Sequence, residues 1–189
     1  MRLETVSPET VGLSRHRLTR IRPVMQSYID DEKVVGFITL IYRRGHVAHL
    51  EKFGCKDDVH PMEFNTIFRI YSMTKPITSV AIMMLYEEGH FQLDDPVSRF
   101  IPEFKDMEVL DSVEDSQAKT VPAEREMTVR DLLRHTSGLT YDFSGGPVAE
   151  MYQKADLYNV ESLAEAVKRL AEIPLMCQPG EVWNYGFST

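Results

Sequence analysis

The stretch at residues 36–54, GFITLIYRRGHVAHLEKFG, constrains the fold more than any other. Two runs rich in β-branched and aromatic residues flank the short connection Arg43-Arg44-Gly45, and a glycine in such a connection is typical of a β-hairpin. A two-stranded hairpin is only marginally stable by itself in water. The fold therefore depends on what packs against this hairpin.

Helical periodicity dominates the rest of the chain. Residues 14 to about 32 carry apolar side chains at steps of three and four, and Pro23 inside that stripe predicts a kink or a late start. A second helix follows the strand-like or extended segment TIFRIYS and ends at Gly89. One face of this helix is apolar, with Ile77, Val80, Ala81, Met84 and Leu85.

The last part of the chain predicts two more helices. Thr128 and Asp131 resemble a capping box, and Gly138 is expected to end that helix. SLAEAVKRLAEIP is amphipathic, whereas residues 105–126 are expected to be a solvated surface segment. An order of helix, hairpin and then mostly helices, without βαβ alternation, predicts an α+β fold. A length of 189 residues suggests about one domain.

Composition excludes several classes of function. A formal net charge of -8 leaves no basic surplus for nucleic-acid binding. Cys55 and Cys177 do not make a disulfide framework, MRLETVSPET has no apolar core of a signal peptide, and the run VAIMML is too short to span a bilayer. We therefore expect a cytoplasmic protein without a nucleic-acid or membrane partner.

A metal site and a bound cofactor are not expected. The residues His46, His49, Cys55 and His60 do not match a common zinc spacing. Gly145-Gly146 is expected to lie in a loop and matches no phosphate-binding pattern.

The pair Ser72 and Lys75 is the main candidate for chemistry. Positions three apart at the start of a helix share one face, so the hydroxyl and the ammonium should be neighbours. Serine needs a base to become nucleophilic, and lysine can act as that base only if its pKa is lowered. The alternative is a helix-capping serine beside a surface lysine. A second S-x-x-K, at Ser116 to Lys119, shows that the motif alone decides nothing.

Three segments of the chain favour the catalytic interpretation of Ser72 and Lys75 over the capping one. SMTKPITSVAIMMLYEEGHFQLDDPVSRFIPEF, MTVRDLLRHTSGLTY and PGEVWNYGFST resemble, in order and spacing, the serine β-lactamase and penicillin-binding-protein superfamily. They look most like the class C-related family VIII carboxylesterases. The resemblance covers residues from about 10 to 189. It implies that Ser72 is the acylated nucleophile, that Lys75 tunes its proton, and that Tyr185 is the general base.

The resemblance also sets expectations for the fold and the site walls. It implies a β-lactamase-like fold in which residues 1–189 are the N-terminal portion of a single catalytic domain. The remaining sheet strands and a third motif, which donates an oxyanion-hole N–H, would follow Thr189. Phe187 stands where the lactamases carry an asparagine, which favours ester hydrolysis or acyl transfer over efficient β-lactam turnover. Trp183 and Phe187 are expected to line the substrate site, although packing alone would also explain Trp183.

Several functions remain open. The leading one is a serine hydrolase that cleaves small carboxylic esters through an acyl-enzyme on Ser72. The alternatives are an acyltransferase, a β-lactamase or D-alanyl peptidase of the same superfamily, and a truncated non-catalytic fragment. The partner would be a small-molecule ester, no cofactor would be needed, and the incomplete sheet could associate with another molecule.

Overall fold

The computed structural model describes residues 4–114 and 117–189. They fall into two compact units, the first ending at Arg69 and the second running from Ile70 to Thr189. Helices and two separate two-stranded antiparallel sheets make up the described residues, so the predicted α+β class is confirmed.

The first unit contains two short helices and the expected hairpin. Helix α1 is Arg15–Leu18 and helix α2 is Ile21–Asp30, where one interrupted helix was predicted. Pro23 lies in the first turn of α2, where a missing N–H removes no intrahelical hydrogen bond. Strand β1 is Gly36–Arg43 and pairs with β2, His46–Gly54.

The turn of this hairpin follows from its sequence. Arg44 and Gly45 both have positive φ, 51° and 81°, as the central residues of a tight type I′ turn require. Phe37 and Phe53 face each other across the strands with ring centroids 5.1 Å apart. Phe53 is buried, whereas Leu40 and Tyr42 of β1 are exposed. The hairpin therefore has one face packed and keeps some apolar surface open.

The second unit begins with the helix that follows TIFRIYS. Residues 66–70 form no strand, and a 3-10 turn at Tyr71–Met73 leads into helix α3, Thr74–Glu87. Gly89 follows the helix with φ 81°, which is the expected role of a C-terminal glycine. The apolar face predicted for α3 is exposed in this structure.

The segment at residues 105–126 is not merely solvated surface, as the sequence suggested. It contains a second hairpin, with strand β3 at Glu108–Glu114 and strand β4 at Gln117–Pro122. Leu175 fixes its position, because its N–H and C=O exchange 2.8 Å hydrogen bonds with Glu108 and Leu110. Ser116, the serine of the second S-x-x-K, lies outside the described residues.

Three helices complete the second unit. Helix α4 is Val129–Arg134, and its capping box is present as predicted. It ends at Arg134 and not at Gly138, because His135 already adopts a left-handed conformation with φ 58°. Helix α5, Gly146–Ala155, was not predicted; Gly145 caps it, so Gly146 opens a helix instead of lying in a loop. Helix α6 is Leu163–Ala171, as expected.

Two apolar clusters form the core of the second unit. The larger has seven buried members: Val97, Phe104, Met107, Val109, Met127, Leu139 and Leu175. The smaller has Val148, Tyr152, Leu157 and Ile173, with Phe187 packed against it. Leu170 of α6 contacts both clusters, so α6 joins them.

Candidate functional site

Ser72 and Lys75 lie at the junction between the 3-10 turn and α3, as the sequence predicted. Lys75 is the second residue of α3, and Pro76 follows in the first turn, where the helix makes no use of its N–H. Tyr71, directly before Ser72, has φ 45°, which is unusual for a residue with a side chain. The backbone thus turns sharply just before Ser72.

Tyr185 connects the two side chains. The Ser72 hydroxyl donates a hydrogen bond to the Tyr185 phenol oxygen, and this bond is the main cause that lowers the pKa of Tyr185. A hydrogen bond from Lys75 and its positive charge lower that pKa further. The Lys75 Nζ lies 4.8 Å from the Tyr185 ring centroid. Ser72 and Lys75 therefore both interact with the Tyr185 oxygen.

The charge on Lys75 differs from the expectation. Burial works to lower the pKa of Lys75, but hydrogen bonds and charge interactions with Tyr141 and Tyr185 outweigh it and raise the pKa. Lys75 is therefore an ammonium group at neutral pH and not the free base that a lowered pKa would give. Its position suits it to stabilise a phenolate on Tyr185.

Tyr141 is the contact that sequence reasoning missed. The Lys75 Nζ donates a 2.6 Å hydrogen bond to the Tyr141 hydroxyl, and the Tyr141 and Tyr185 rings lie 5.7 Å apart. Tyr141 was visible in the sequence as the last residue of MTVRDLLRHTSGLTY. Nothing in that segment indicated contact with Lys75, because 66 residues separate the two.

His135 holds the segment that carries Tyr185. The His135 carbonyl accepts the Asn184 N–H at 2.8 Å, and its Nδ1 accepts the Gly186 N–H at 3.3 Å. A side chain on Gly186 would meet the Leu139 carbonyl oxygen at 2.6 Å, so only glycine fits there. The Tyr185 backbone is thus fixed on both sides, which gives His135 a structural role.

His135 is also near Tyr185 and Lys75. The His135 and Tyr185 ring centroids are 4.7 Å apart. Burial lowers the pKa of His135, and the charge of Lys75 lowers it further. His135 is therefore neutral at pH 7, and its acceptor nitrogen is taken by the Gly186 N–H.

The two predicted wall residues each lie beside a tyrosine of the site. Trp183 is exposed and stacks beside Tyr185, with ring centroids 6.3 Å apart. Phe187 is half-buried and meets the Tyr141 ring edge-on at 4.7 Å. Both positions suit walls of a site centred on Ser72.

Within residues 4–114 and 117–189, no group of three or more His, Cys, Asp or Glu side chains is arranged to hold a metal ion. His49 instead contacts the Thr39 hydroxyl at 2.8 Å. An apolar cavity of about 430 Å³ lies between α3 and α4, but Ser72, Lys75 and Tyr185 are not among its lining residues. No helix in the described part of the chain is long and apolar enough to cross a membrane.

The fold and this arrangement of side chains define a protein of the serine β-lactamase-like superfamily. The chain belongs to the beta-lactamase family, whose model matches residues 21–189. The resemblance read from the three sequence segments is thereby confirmed.

Two curated proteins are similar to this chain in sequence. An uncharacterised protein of Mycobacterium tuberculosis (strain CDC 1551 / Oshkosh) is 39% identical over 153 residues, which cover 79% of this chain and 38% of the relative. Esterase EstB of Burkholderia gladioli is 30% identical over 197 residues, which cover 100% of this chain and 47% of EstB. The chain thus spans less than half the length of these two curated relatives.

A solved structure is similar to this chain in both fold and sequence. The hydrolase EstCE1, described as having promiscuous acyltransferase activity, superposes with a TM-score of 0.72 at 29% sequence identity. The match covers 90% of this chain and 44% of EstCE1. The chain is therefore similar in fold and in sequence to a hydrolase.

Proposed function

We propose that this protein is a serine hydrolase that cleaves small carboxylic esters through an acyl-enzyme on Ser72. The observation that carries the proposal is the hydrogen bond from Ser72 to Tyr185, with Lys75 held against the same phenol. A nucleophile and its base within hydrogen-bond reach, with a third group that orients and polarises the base, is the usual arrangement for covalent catalysis.

The first half-reaction follows from this geometry. The Ser72 oxygen attacks the ester carbonyl carbon while its proton passes to the Tyr185 phenolate. The carbonyl oxygen becomes an oxyanion, which collapses to the acyl-enzyme as the C–O bond to the alcohol breaks. The Tyr185 proton passes to the departing alkoxide, so the phenolate is restored. Lys75 remains an ammonium group throughout and stabilises the phenolate.

In the second half-reaction water is the nucleophile and the Ser72 oxygen is the leaving group. A water molecule attacks the acyl carbon and gives its proton to Tyr185. Collapse of the second tetrahedral intermediate releases the carboxylic acid and returns the proton to Ser72. Phe187 supports an ester substrate over a β-lactam, since an apolar ring at that position offers no amide to the substrate.

An acyltransferase is the second candidate. Its first half-reaction is identical, and an alcohol replaces water in the second. The likeness to EstCE1, a hydrolase with promiscuous acyltransferase activity, favours this alternative over the others. Product analysis with an added alcohol would separate the two, because transfer yields a new ester and hydrolysis yields only the acid.

A fluorophosphonate probe tests the nucleophile. The probe forms a covalent adduct with an activated serine, and intact-mass and peptide mass spectrometry should find one adduct, on Ser72. Ser72→Ala should abolish the adduct. Ser116→Ala is the matched control, because Ser116 opens the second S-x-x-K copy of the sequence, and it should leave labelling unchanged. A wild-type chain without an adduct on Ser72 would support a non-catalytic protein and overturn the proposal.

A further inference from the structure

Four aromatic side chains form a continuous surface beside Lys75. We call this surface the aromatic ledge, and its members are Tyr141, Phe143, Tyr158 and Phe187. Tyr141 stacks on Phe143 with centroids 4.7 Å apart and planes at 18°. Tyr141 also meets Phe187 edge-on at 4.7 Å, and Phe187 lies 5.9 Å from Tyr158. The rings therefore follow one another without a gap.

The aromatic ledge adjoins the candidate site. Its inner member, Tyr141, accepts the hydrogen bond from Lys75. The charge of Lys75 also reaches Tyr158, where it lowers a pKa that burial and Asp142 together raise. A group lying on the aromatic ledge would therefore be close to the side chains that handle the Ser72 proton.

Two members of the aromatic ledge, Phe143 and Tyr158, are exposed, and a third, Phe187, packs on a buried residue. Phe143 is 74% exposed and Tyr158 is 67% exposed. Phe187 stacks on the buried Tyr152 at 5.8 Å with ring planes at 20°. Exposed aromatic surface beside polar groups is a feature of ligand-binding and other interaction sites.

The chemistry of the aromatic ledge limits what it can bind. Ring faces prefer other flat apolar groups, which they stack against or meet edge-on. The Asp142 carboxylate lies 3.4 Å from the Tyr158 hydroxyl, so a second negative charge there would be repelled. We propose that the aromatic ledge binds a neutral aryl or fused-ring group of the ester. This inference rests on the proposed function, and the ring could belong to the acyl or the alcohol part.

Binding of stable amides tests this proposal without any turnover. N-(2-naphthyl)acetamide carries the ring on the side of the alcohol, and N-methyl-2-naphthamide carries it on the acyl side. N-cyclohexylacetamide has a non-planar apolar ring and serves as the reference ligand. Titration followed by ligand-observed NMR should give at least one naphthyl amide a Kd about three- to tenfold lower than that of the reference. The naphthyl amide that binds more tightly shows which side of the ester lies on the aromatic ledge.

Variants locate the binding. Phe143→Ala should remove the preference for the naphthyl ring, and so should Phe143→Leu, which keeps an apolar side chain and the folded state but has no flat face. Tyr42→Ala is the matched control, since Tyr42 is another exposed aromatic residue, located on β1. Its affinity for every ligand should equal that of the wild type.

The outcomes separate this inference from the proposed function. A naphthyl preference that persists in Ser72→Ala supports the aromatic ledge even if no fluorophosphonate adduct forms. Equal binding of the naphthyl and cyclohexyl amides overturns the inference. It does not affect the proposed function, which the adduct on Ser72 tests separately. Absence of naphthyl binding, or an unchanged preference in Phe143→Leu, also overturns it.

Discussion

At the scale of single residues, the charge on Lys75 decides which group can act as the base. A positively charged Lys75 cannot accept the Ser72 proton, and a phenol with a pKa near 10 would seldom be ionised at pH 7. The structure joins the two groups so that each stabilises the charged form of the other. The pKa of Lys75 rises and that of Tyr185 falls, and Tyr185 becomes the better base.

This coupling predicts a pH dependence. If Tyr185 acts as the phenolate, as proposed, the rate of Ser72 labelling should rise with pH and level off above the lowered Tyr185 pKa. Lys75→Met removes the ammonium group, returns the Tyr185 pKa towards 10 and moves the rise to higher pH. At pH 7 labelling should then be slower than in the wild type, because a smaller fraction of Tyr185 is ionised. Stopped labelling reactions analysed by mass spectrometry measure these rates.

Two further variants test whether the residues act as one unit. Lys75→Arg keeps a positive charge, so its rise should stay closer to that of the wild type than the rise of Lys75→Met. Combining Lys75→Met with Tyr185→Phe should slow labelling little more than either change alone, because groups that act together are not additive. Independent losses that multiply would contradict the coupling.

Sequence reasoning reached most of this site, but not all of it. The motif and its family context indicated Ser72, Lys75 and Tyr185, and the structure brings all three together. The sequence alone could not indicate the role of Tyr141, nor the raised pKa of Lys75. Both depend on a contact between residues far apart in the chain, which local patterns do not encode.

At the scale of secondary-structure elements, the start of α4 is stabilised by the hydrogen bonds and the ion pair of one carboxylate, Asp131. Thr128 and Asp131 form the capping box, and Asp131 also pairs with Arg125 at 2.7 Å and accepts from Thr136 at 3.0 Å. Burial alone would raise the Asp131 pKa. The bonds from Arg125, Thr128 and Thr136 outweigh it and lower the pKa to about 2.

Asp131→Asn should therefore destabilise the fold in a pH-dependent way. A pKa of about 2 in place of the ordinary 3.8 is equivalent to about 2 kcal/mol of stability. That stability is present above the unfolded pKa and is lost as pH falls through the folded pKa. Urea unfolding should show a gap of about 2 kcal/mol at pH 7 that narrows below pH 4. Asp106→Asn, at an exposed site, should show no gap.

A gap that stays constant down to the lowest pH would contradict this account. It would mean that Asp131 acts through its size and hydrogen bonds alone, without its charge. The capping pattern S/T-x-x-D or E is local, which is why the sequence alone predicted the start of α4.

Other elements were harder to predict for equally physical reasons. The acidic surface of residues 105–126 concealed β3 and β4, whose pairing depends on Leu175 from a distant part of the chain. Gly145 and Gly146 look like loop residues, yet Pro147 in the first turn of α5 pre-sets the helical backbone. Tertiary contact and turn chemistry outweighed composition at both places.

At the scale of the whole molecule, apolar surface remains open in each unit. In the second unit, Ile77, Val80 and Met84 follow one stripe of α3, and each is more than half exposed. In the first unit, β1 has β2 as its only strand partner among the described residues, and Leu40 and Tyr42 are exposed. Open strand edges and exposed apolar stripes favour association with other molecules.

We therefore expect this chain to associate with itself in solution. Its weight-average sedimentation coefficient should rise with concentration, because copies that cover these surfaces remove apolar area from water. The double change Val80→Glu and Met84→Glu places charges on the α3 stripe, whereas Leu40→Lys places one on the exposed face of β1. If the helix is the main contact, only the double variant should shift sedimentation towards the monomer. If the strand is the main contact, only Leu40→Lys should do so. A wild-type chain that sediments as one monomeric species at every concentration would show that neither surface drives association.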